Sequence, residues 1–353
     1  MATFTPISRV GEFGLINLIK NITDIQTDSP NLKSDLLMGI SDDAAVFKPT
    51  ADKVQIFTTD AMVEGVHFDL TYSSMQHLGW KAMASNISDI AAMGGEPRYA
   101  LITLCLPQKI SVEMVEEFYT GAVFACKKYN TLIAGGDTTA ASGNMIISVS
   151  LIGEADSQKL VYRNGAKVGD LVCVSGTLGT SHAGLKVLMR EKRNFLEKSE
   201  SFSPNLEPYK PALEKYLMPK PRLDIAKLLT NEVKINSLID VSDGLASEVH
   251  HICRNSGVGA EIWEHNIPID NIGRNIAEEF SENIIDYALY GGEEYELLFT
   301  LTDENYAKLE SLTSDVTILG RIVDASKGIY FIREQGEREE LTPRGWDHFK
   351  ENN

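Results

Sequence analysis

Seven aspartates stand where charged side chains are costly. Asp42 and Asp43 lie in GISDDAAV, Asp60 ends VQIFTTD, and Asp89 interrupts the apolar run NISDIAAMGG. Asp137 ends IAGGDTT, and Asp240 and Asp243 bracket Ser242 in LIDVSDGL. Their neighbours are small or apolar, whereas a solvated acidic face would set Lys, Glu and Gln beside them. A carboxylate in such surroundings needs a partner. The chemistry that uses such a set is hard-cation binding: Mg²⁺ takes oxygen ligands and bridges one or two carboxylates to substrate phosphates. The hydroxyls of Thr58 and Thr59, next to Asp60, and of Ser242 can ligate metal or phosphate too. Any one of these aspartates can instead form a turn or cap a helix, as Asp243 before GLASEVHH illustrates. Calcium is the competing cation, but no DxDxDG loop with a glutamate at its twelfth position occurs.

Phosphate binding by a common nucleotide motif is absent. No GxxxxGK[ST] and no GxGxxG after a strand is present, and GTSHAGLK (179–186) misses the first by one inserted leucine. The protein-kinase set VAIK, HRD and DFG is missing as well. The turns Gly135-Gly136-Asp137 and Gly176-Thr177-Leu178-Gly179 could present backbone N–H groups to phosphate.

The elements that must position these acids follow from apolar spacing. Strands are expected at 54–60, 98–106, 131–137 and 145–152, with helices at 75–93 and 112–129 between them. A polar stretch at 154–159 reads as a linker. Beyond it, strands are expected at 171–174, 237–241, 260–263, 296–300, 316–322 and 328–332, and helices at 181–190, 223–229 and 245–256. Residues 191–219, charged and carrying four prolines, read as a surface excursion or flap. Helices and strands mix in both halves without clean βαβ alternation, so two α/β or α+β domains are expected rather than one doubly wound sheet.

The chain has 353 residues, enough for two domains. Its 33 Lys+Arg against 50 Asp+Glu give a formal charge of −17. That balance argues against nucleic acid, since phosphate backbones demand a basic surface. An acidic chain can still hold polyphosphate if divalent cations lie between the two. Cys105, Cys126, Cys173 and Cys253 form no CxxC or ligand spacing and read as small buried hydrophobes. With no basic-then-apolar leader and no run of about 18 apolar residues, neither export nor a membrane span is expected, and the cytoplasm is the expected compartment.

GISDDAAV, TTDAMVEGVHF, NISDIAAMGGEP, GGDTT, RNGAKVGD, DVSDGL and GGEEYELLF occur in an order that resembles the thiamine-monophosphate kinases. These are relatives of the aminoimidazole ribonucleotide synthetases, selenophosphate synthetases and hydrogenase maturation proteins. The resemblance runs over nearly the whole chain. VEGVHF and the NxSDIAAMGG block belong to the kinase branch, while GGDT and DxSDGL are shared more widely. It implies an α/β (α+β), two-domain PurM-like fold. Residues 1–155 would be an N-terminal mixed α/β domain forming a β-barrel in a homodimer, and 156–353 a C-terminal α+β domain.

The implied reaction is Mg²⁺-dependent transfer of the ATP γ-phosphoryl group to thiamine monophosphate, giving thiamine diphosphate and ADP. By position, Asp42, Asp60, Asp89, Asp137, Asp240 and Asp243 match the family's metal ligands, with Thr58 and Thr59 supporting Asp60. Asp42, Gly136, Asp137, Arg163 and Ser242 match residues that hold ATP, and Tyr119 falls where the family has a further ATP contact. His67, Glu293 and Trp346 match the thiamine-phosphate pocket. Tyr119 and Trp346 have core packing as their alternative role, His67 a turn, and Glu293 a turn cap. Two positions depart from the family pattern: Ser41 replaces a glycine, and Glu294 replaces the aspartate of GGEDYEL. No general base is required, because the acceptor is itself a phosphate with a second pKa of about 6. The rival readings are another ATP-using branch, such as an aminoimidazole ribonucleotide or selenophosphate synthetase, and a non-catalytic Mg²⁺–nucleotide binder. The first Cys, Cys105, lies too late for the reactive N-terminal Cys expected of a selenophosphate synthetase, and PRGWDHFKENN lacks the terminal Cys of the hydrogenase maturation branch.

Overall fold

A computed structural model describes residues 4–24, 29–40, 44–198 and 203–344. The chain divides into two compact units, one of residues 1–91 and 95–158, the other of 92–94 and 159–353. Among the described residues no helix is long and apolar enough to cross a membrane.

The first unit runs α1 (Ile7–Thr23), α2 (Pro30–Asp35), β1 (Leu36–Met38), β2 (Val46–Phe47), β3 (Lys53–Val63), α3 (Met75–Ala92), β4 (Glu96–Leu106), α4 (Val112–Tyr129), β5 (Leu132–Ala140) and β6 (Ile146–Asp156). Its main sheet has the order β3-β6-β4-β5, antiparallel except for the β4–β5 pair. Alternation along β4 buries Ile102 and Leu104 completely while Leu101 stays 43 % exposed, so one face joins the core and the other is open. Ser111 caps α4 by accepting the Met114 N–H, and left-handed Asn130 ends it. The helices α3 and α4 touch backbone to backbone: a Cβ on Gly79 would lie 1.9 Å from the Phe118 carbonyl oxygen. The same distance separates a Cβ on Gly121 from the Gln76 oxygen.

The second unit runs β7 (Leu171–Ser175), α5 (Thr180–Lys198), α6 (Lys210–Leu217), α7 (Leu223–Glu232), β8 (Ser237–Asp240), α8 (Leu245–Ser256), β9 (Gly259–Trp263), α9 (Asn271–Glu279), α10 (Ile284–Tyr290), β10 (Leu297–Leu301), α11 (Asp303–Glu310), β11 (Val316–Val323), β12 (Ile329–Ile332) and β13 (Arg338–Glu340). Seven strands form one sheet in the order β13-β12-β9-β11-β7-β10-β8. The strands β7 (LVCVS) and β10 (LLFTL) are buried at every residue, which is why they read as near-continuous apolar runs. The helix α8 turns Leu245, Val249 and Ile252 into the core, at helical spacing.

Two segments differ from the sequence reading. The described residues of 191–219 are largely helical rather than an irregular excursion. The helix α5 continues to Lys198, a 3₁₀ turn spans Glu207–Tyr209, and α6 buries Ala212, Leu213, Tyr216 and Leu217. Two of its four prolines start helical turns rather than prevent them: Pro208 and Pro211 occupy first-turn positions, where a missing N–H costs nothing. The polar stretch at 154–159 is in part a strand, since β6 runs to Asp156. Glu154 is buried there, accepting the Thr50 hydroxyl at 3.0 Å and pairing with Arg98 at 3.3 Å. The four cysteines are free thiols; three are buried, and burial pushes the Cys253 thiol up to about 12.

Candidate active site

In the first unit, β3 carries the TTD segment along the edge of the sheet. Side chains alternate, so Thr58 and Asp60 share one face and Thr59 takes the other. The Thr58 hydroxyl donates to the Asp89 carboxylate of α3, joining the strand motif to the helix motif. Asp60 follows two residues along the same face. Thr59 is not brought to them: its hydroxyl meets the Val149 carbonyl oxygen at 3.1 Å and Ser150 Oγ at 3.0 Å.

Asp137 stands apart. The ladder aligns Asp60, Val149, Ile102 and Gly136 in one row and Ala61, Ser148, Thr103 and Asp137 in the next. Two strands therefore separate Asp60 from Asp137, about 14 Å at about 4.8 Å per strand. One Mg²⁺, with ligands at about 2.1 Å, cannot touch both in a single chain. Among the described residues no three His, Cys, Asp or Glu side chains form a metal cage. Asp42 and Asp43 lie outside the described residues. The oxygen donors present suit an ion that completes its shell with water and substrate phosphate, not one held by protein alone. Glycine is required at 136, because a Cβ there would lie 2.0 Å from the Ile102 carbonyl oxygen.

In the second unit, DVSDGL and GGEEYELLF are joined through the backbone. The Val241 N–H donates to the Glu296 carbonyl oxygen at 2.7 Å, Tyr295 N–H to Val241 O at 2.9 Å, and Glu293 N–H to Ser242 O at 2.7 Å. Glu293 and Tyr295 both adopt left-handed backbone, with φ of 63° and 54°. Such conformations carry strain in non-glycine residues and cluster at functional loops. Asp240 ends the buried strand β8. Asp243 does not cap α8: the cap position is Gly244, whose Cβ, if present, would lie 2.8 Å from Leu289 O. Instead the Asp243 N–H donates to Glu248 Oε1 at 3.1 Å.

Glu248 has no counterpart in the sequence reading. It is 2 % exposed on α8, and its pKa is pushed up to about 8 by burial, then by the charges of Asp240 and Asp243; Arg163 opposes them. The i, i+5 spacing from Asp243 was the one available signal, hidden because Glu in a helix ordinarily faces water. Arg163 reaches this knot because the Leu238 N–H of β8 bonds the neighbouring Tyr162 carbonyl oxygen at 2.9 Å. Asp240, Ser242, Asp243 and Glu293 are therefore brought together by strand and loop pairing in the second unit, and the Arg163 charge acts on Glu248 beside them.

The remaining sites fare differently. Tyr119 is 3 % exposed, its ring edge-on to Phe118 at 5.4 Å, and burial raises its phenol pKa. The structure gives it the core-packing role. His67 closes a tight turn, with Nδ1 accepting the Val63 N–H at 3.0 Å. Trp346 lies outside the described residues. The Gly176–Gly179 turn is no open phosphate cradle, because the Gly176 and Leu178 N–H groups already bond Asp315 O and Pro268 O.

Comparisons with known proteins give this geometry a family. The pattern described as AIR synthase related protein, N-terminal domain, matches residues 41–155, and its C-terminal counterpart matches 167–333. The thiamine-monophosphate kinase of Aquifex aeolicus is 37 % identical over 97 % of this chain and 99 % of its own length. This chain belongs to the thiamine-monophosphate kinase family. The kinase of Bacillus subtilis is 34 % identical over 89 % of this chain and 94 % of its own. Among solved structures, AaThiL complexed with AMPPCP and TMP superposes with a TM-score of 0.73, at 35 % identity over 99 % of this chain and all of that one. The thiamine-monophosphate kinase of Stenotrophomonas maltophilia K279a gives 0.77 at 30 % identity, over 93 % of this chain and 98 % of that one. The hydrogenase maturation protein HypE in complex with ATP gives 0.72 at 20 % identity and shares the PurM-like fold alone. A thiamine-monophosphate kinase family member therefore has its two PurM-like halves in this chain, and the rival branches fall away as family assignments.

Proposed function

We propose that this protein transfers the γ-phosphoryl group of ATP to thiamine monophosphate, releasing ADP and thiamine diphosphate. The near-full-length likeness to the Aquifex kinase, and to AaThiL with AMPPCP (an ATP analogue) and TMP bound, carries the reading. At pH 7 the acceptor phosphate already holds a nucleophilic oxyanion, so the chain needs no general base and must instead bring two anions together. Arg163 contributes a cation beside the Ser242–Asp243 loop, and the backbone bonds from 293, 295 and 241 fix that loop before substrate arrives. The metal residues of this reading are Asp42, Asp60, Asp89, Asp137, Asp240 and Asp243, with Thr58 as the link between Asp60 and Asp89. Bound Mg²⁺ would supply charge neutralisation between the two phosphates. In this reading the first unit carries the metal residues Asp42, Asp60, Asp89 and Asp137 and the substrate residue His67, while the second carries Asp240, Asp243, the ATP residues Arg163 and Ser242, and the substrate residues Glu293 and Trp346. The compartment is the cytoplasm, where ATP is made available.

Purified protein with ATP and Mg²⁺ tests this directly. ADP release should require thiamine monophosphate, with thiamine or no acceptor giving background. Equal release without acceptor would make the protein an ATPase, and none under any condition would leave a nucleotide binder.

The homodimer belongs to the same proposal. The open face of the first unit's sheet exposes Phe57 at 71 %, Leu101 at 43 % and Ile146 at 36 %, an apolar surface suited to a second copy of the chain. Sedimentation should report twice the chain mass, and Phe57→Glu should shift it to monomer. A monomeric wild type would end the dimer reading.

A further inference from the structure

The segment 203–219 supplies one side chain that neither the motifs nor the family likeness singles out. Lys215, on α6, extends its ammonium into the interior of the second unit. It pairs with Glu294 Oε2 at 2.9 Å and with Glu296 Oε1 at 3.7 Å. It also donates to the Thr177 carbonyl oxygen and meets Thr177 Oγ1 at 3.3 Å. Glu294 is fully buried, and its other oxygen accepts the Ser181 N–H at the start of α5, at 3.1 Å. Burial works against the ammonium, but the two carboxylates outweigh it and hold Lys215 charged.

This anchor grips a particular stretch of chain. Glu294 sits between Glu293 and Tyr295, the two residues whose backbones are left-handed. Neither conformation is favourable by itself for a non-glycine residue, so the surroundings must impose it. Backbone bonds to Val241 and Ser242 hold the loop on one side. Glu294 is one residue from each strained position, and its side chain is held by Lys215 and by the Ser181 N–H. A buried carboxylate without its cation would draw in water or a proton and pull the loop from this geometry.

We infer that Lys215 is a positioning residue: acting through Glu294, it holds the 293–295 loop in the conformation that presents Glu293 to the organic substrate. This rests on the kinase reading for the identity of that substrate. The longer Glu294, where the family pattern has aspartate, reaches both α5 and α6 and so ties residues 203–219 to the site.

The test compares wild type, Lys215→Met, Lys215→Arg and Glu294→Gln. Lys215→Met should raise KM for thiamine monophosphate about tenfold while KM for ATP moves by less than about twofold, and Lys215→Arg should recover most of the loss. Amide exchange at Glu293 and Tyr295 should quicken about tenfold in Lys215→Met, with Leu298 and Phe299 of β10 unchanged. If Lys215→Met fails to fold, Glu294→Gln is read in its place, since it keeps an acceptor for Ser181 and removes only the charge. Equal rises in both KM values, or wild-type exchange at 293 and 295, would overturn the inference. Should the wild type show no turnover of thiamine monophosphate, the kinase reading falls, and amide exchange alone decides the role of Lys215.

Discussion

Asp60→Asn is expected to lower kcat/KM for thiamine-monophosphate-dependent ADP release on the order of 10³-fold, with the fold intact. The substitution keeps the side chain's size and one acceptor oxygen and removes the charge. Asp60 is half-buried at the edge strand β3, on the face where Thr58 meets Asp89, so no core packing is lost. Phosphoryl transfer to a phosphate acceptor is limited by anion repulsion, and a lost ligand charge acts on that barrier directly. Asp137→Asn should lower the rate alike, because Asp137 is a metal residue of the same proposed reading, and its exposed side chain leaves the fold intact. The measurement is ADP release under limiting Mg²⁺, alongside a thermal melt. Both variants retaining wild-type rates at limiting Mg²⁺ would end the metal assignment. Rates restored by excess Mg²⁺ would support it, since weaker affinity is then the defect.

Arg222→Met should destabilise the protein by about 3–5 kcal/mol, lowering Tm by roughly 10 °C. The Arg222 guanidinium bonds Glu296 Oε2 at 2.7 Å, Asp315 Oδ2 at 2.6 Å and Asp224 Oδ1 at 3.1 Å. Its side chain and that of Glu296 are 11 % and 10 % exposed, so solvent screens the Glu296 pair little. Glu296 also accepts from Ser175 Oγ at 2.6 Å, and that hydroxyl in turn accepts the Leu297 N–H at 2.9 Å. Methionine would fill much of the volume but leave Glu296 buried beside Glu294 with only Lys215 to offset two charges. The exposed pairs to Asp224 and Asp315 add little. A melt within about 2 °C of wild type would show that Glu296 is neutral or hydrated in the folded state. Arg222→Met combined with Glu296→Gln should recover much of the loss, because the uncompensated charge is then gone.

How far the sequence reaches depends on the kind of interaction. The bounds Val112–Tyr129 and Leu245–Ser256 follow from periodicity and end signals, because amphipathic spacing and local caps are written in adjacent residues. The short helices α9, α10 and α11 escaped, since two turns carry too little periodicity to stand above their surroundings. The helix α6 is hidden in the sequence for a related reason. Charge and proline content dominate the local signal there, while the burial of Leu213 and Tyr216 depends on partners elsewhere in the chain.

For the candidate site, residue types were legible and their grouping was not. Aspartates among small neighbours, in motifs that mark a thiamine-monophosphate kinase, pointed to cation and phosphate chemistry from the sequence by itself. Strand order then decided which of them meet. A motif records what lies beside a residue along the chain, whereas the β3-β6-β4-β5 ladder sets two strands between Asp60 and Asp137. The same tertiary pairing brought Glu293 to Ser242, folded Glu248 beneath Asp243, sank Tyr119 into the core and set Lys215 against Glu294. The sequence by itself determined the chemistry on offer; only the tertiary structure decided which groups share a site. Proximity between distant segments is set by the whole packing, not by any local run of residues.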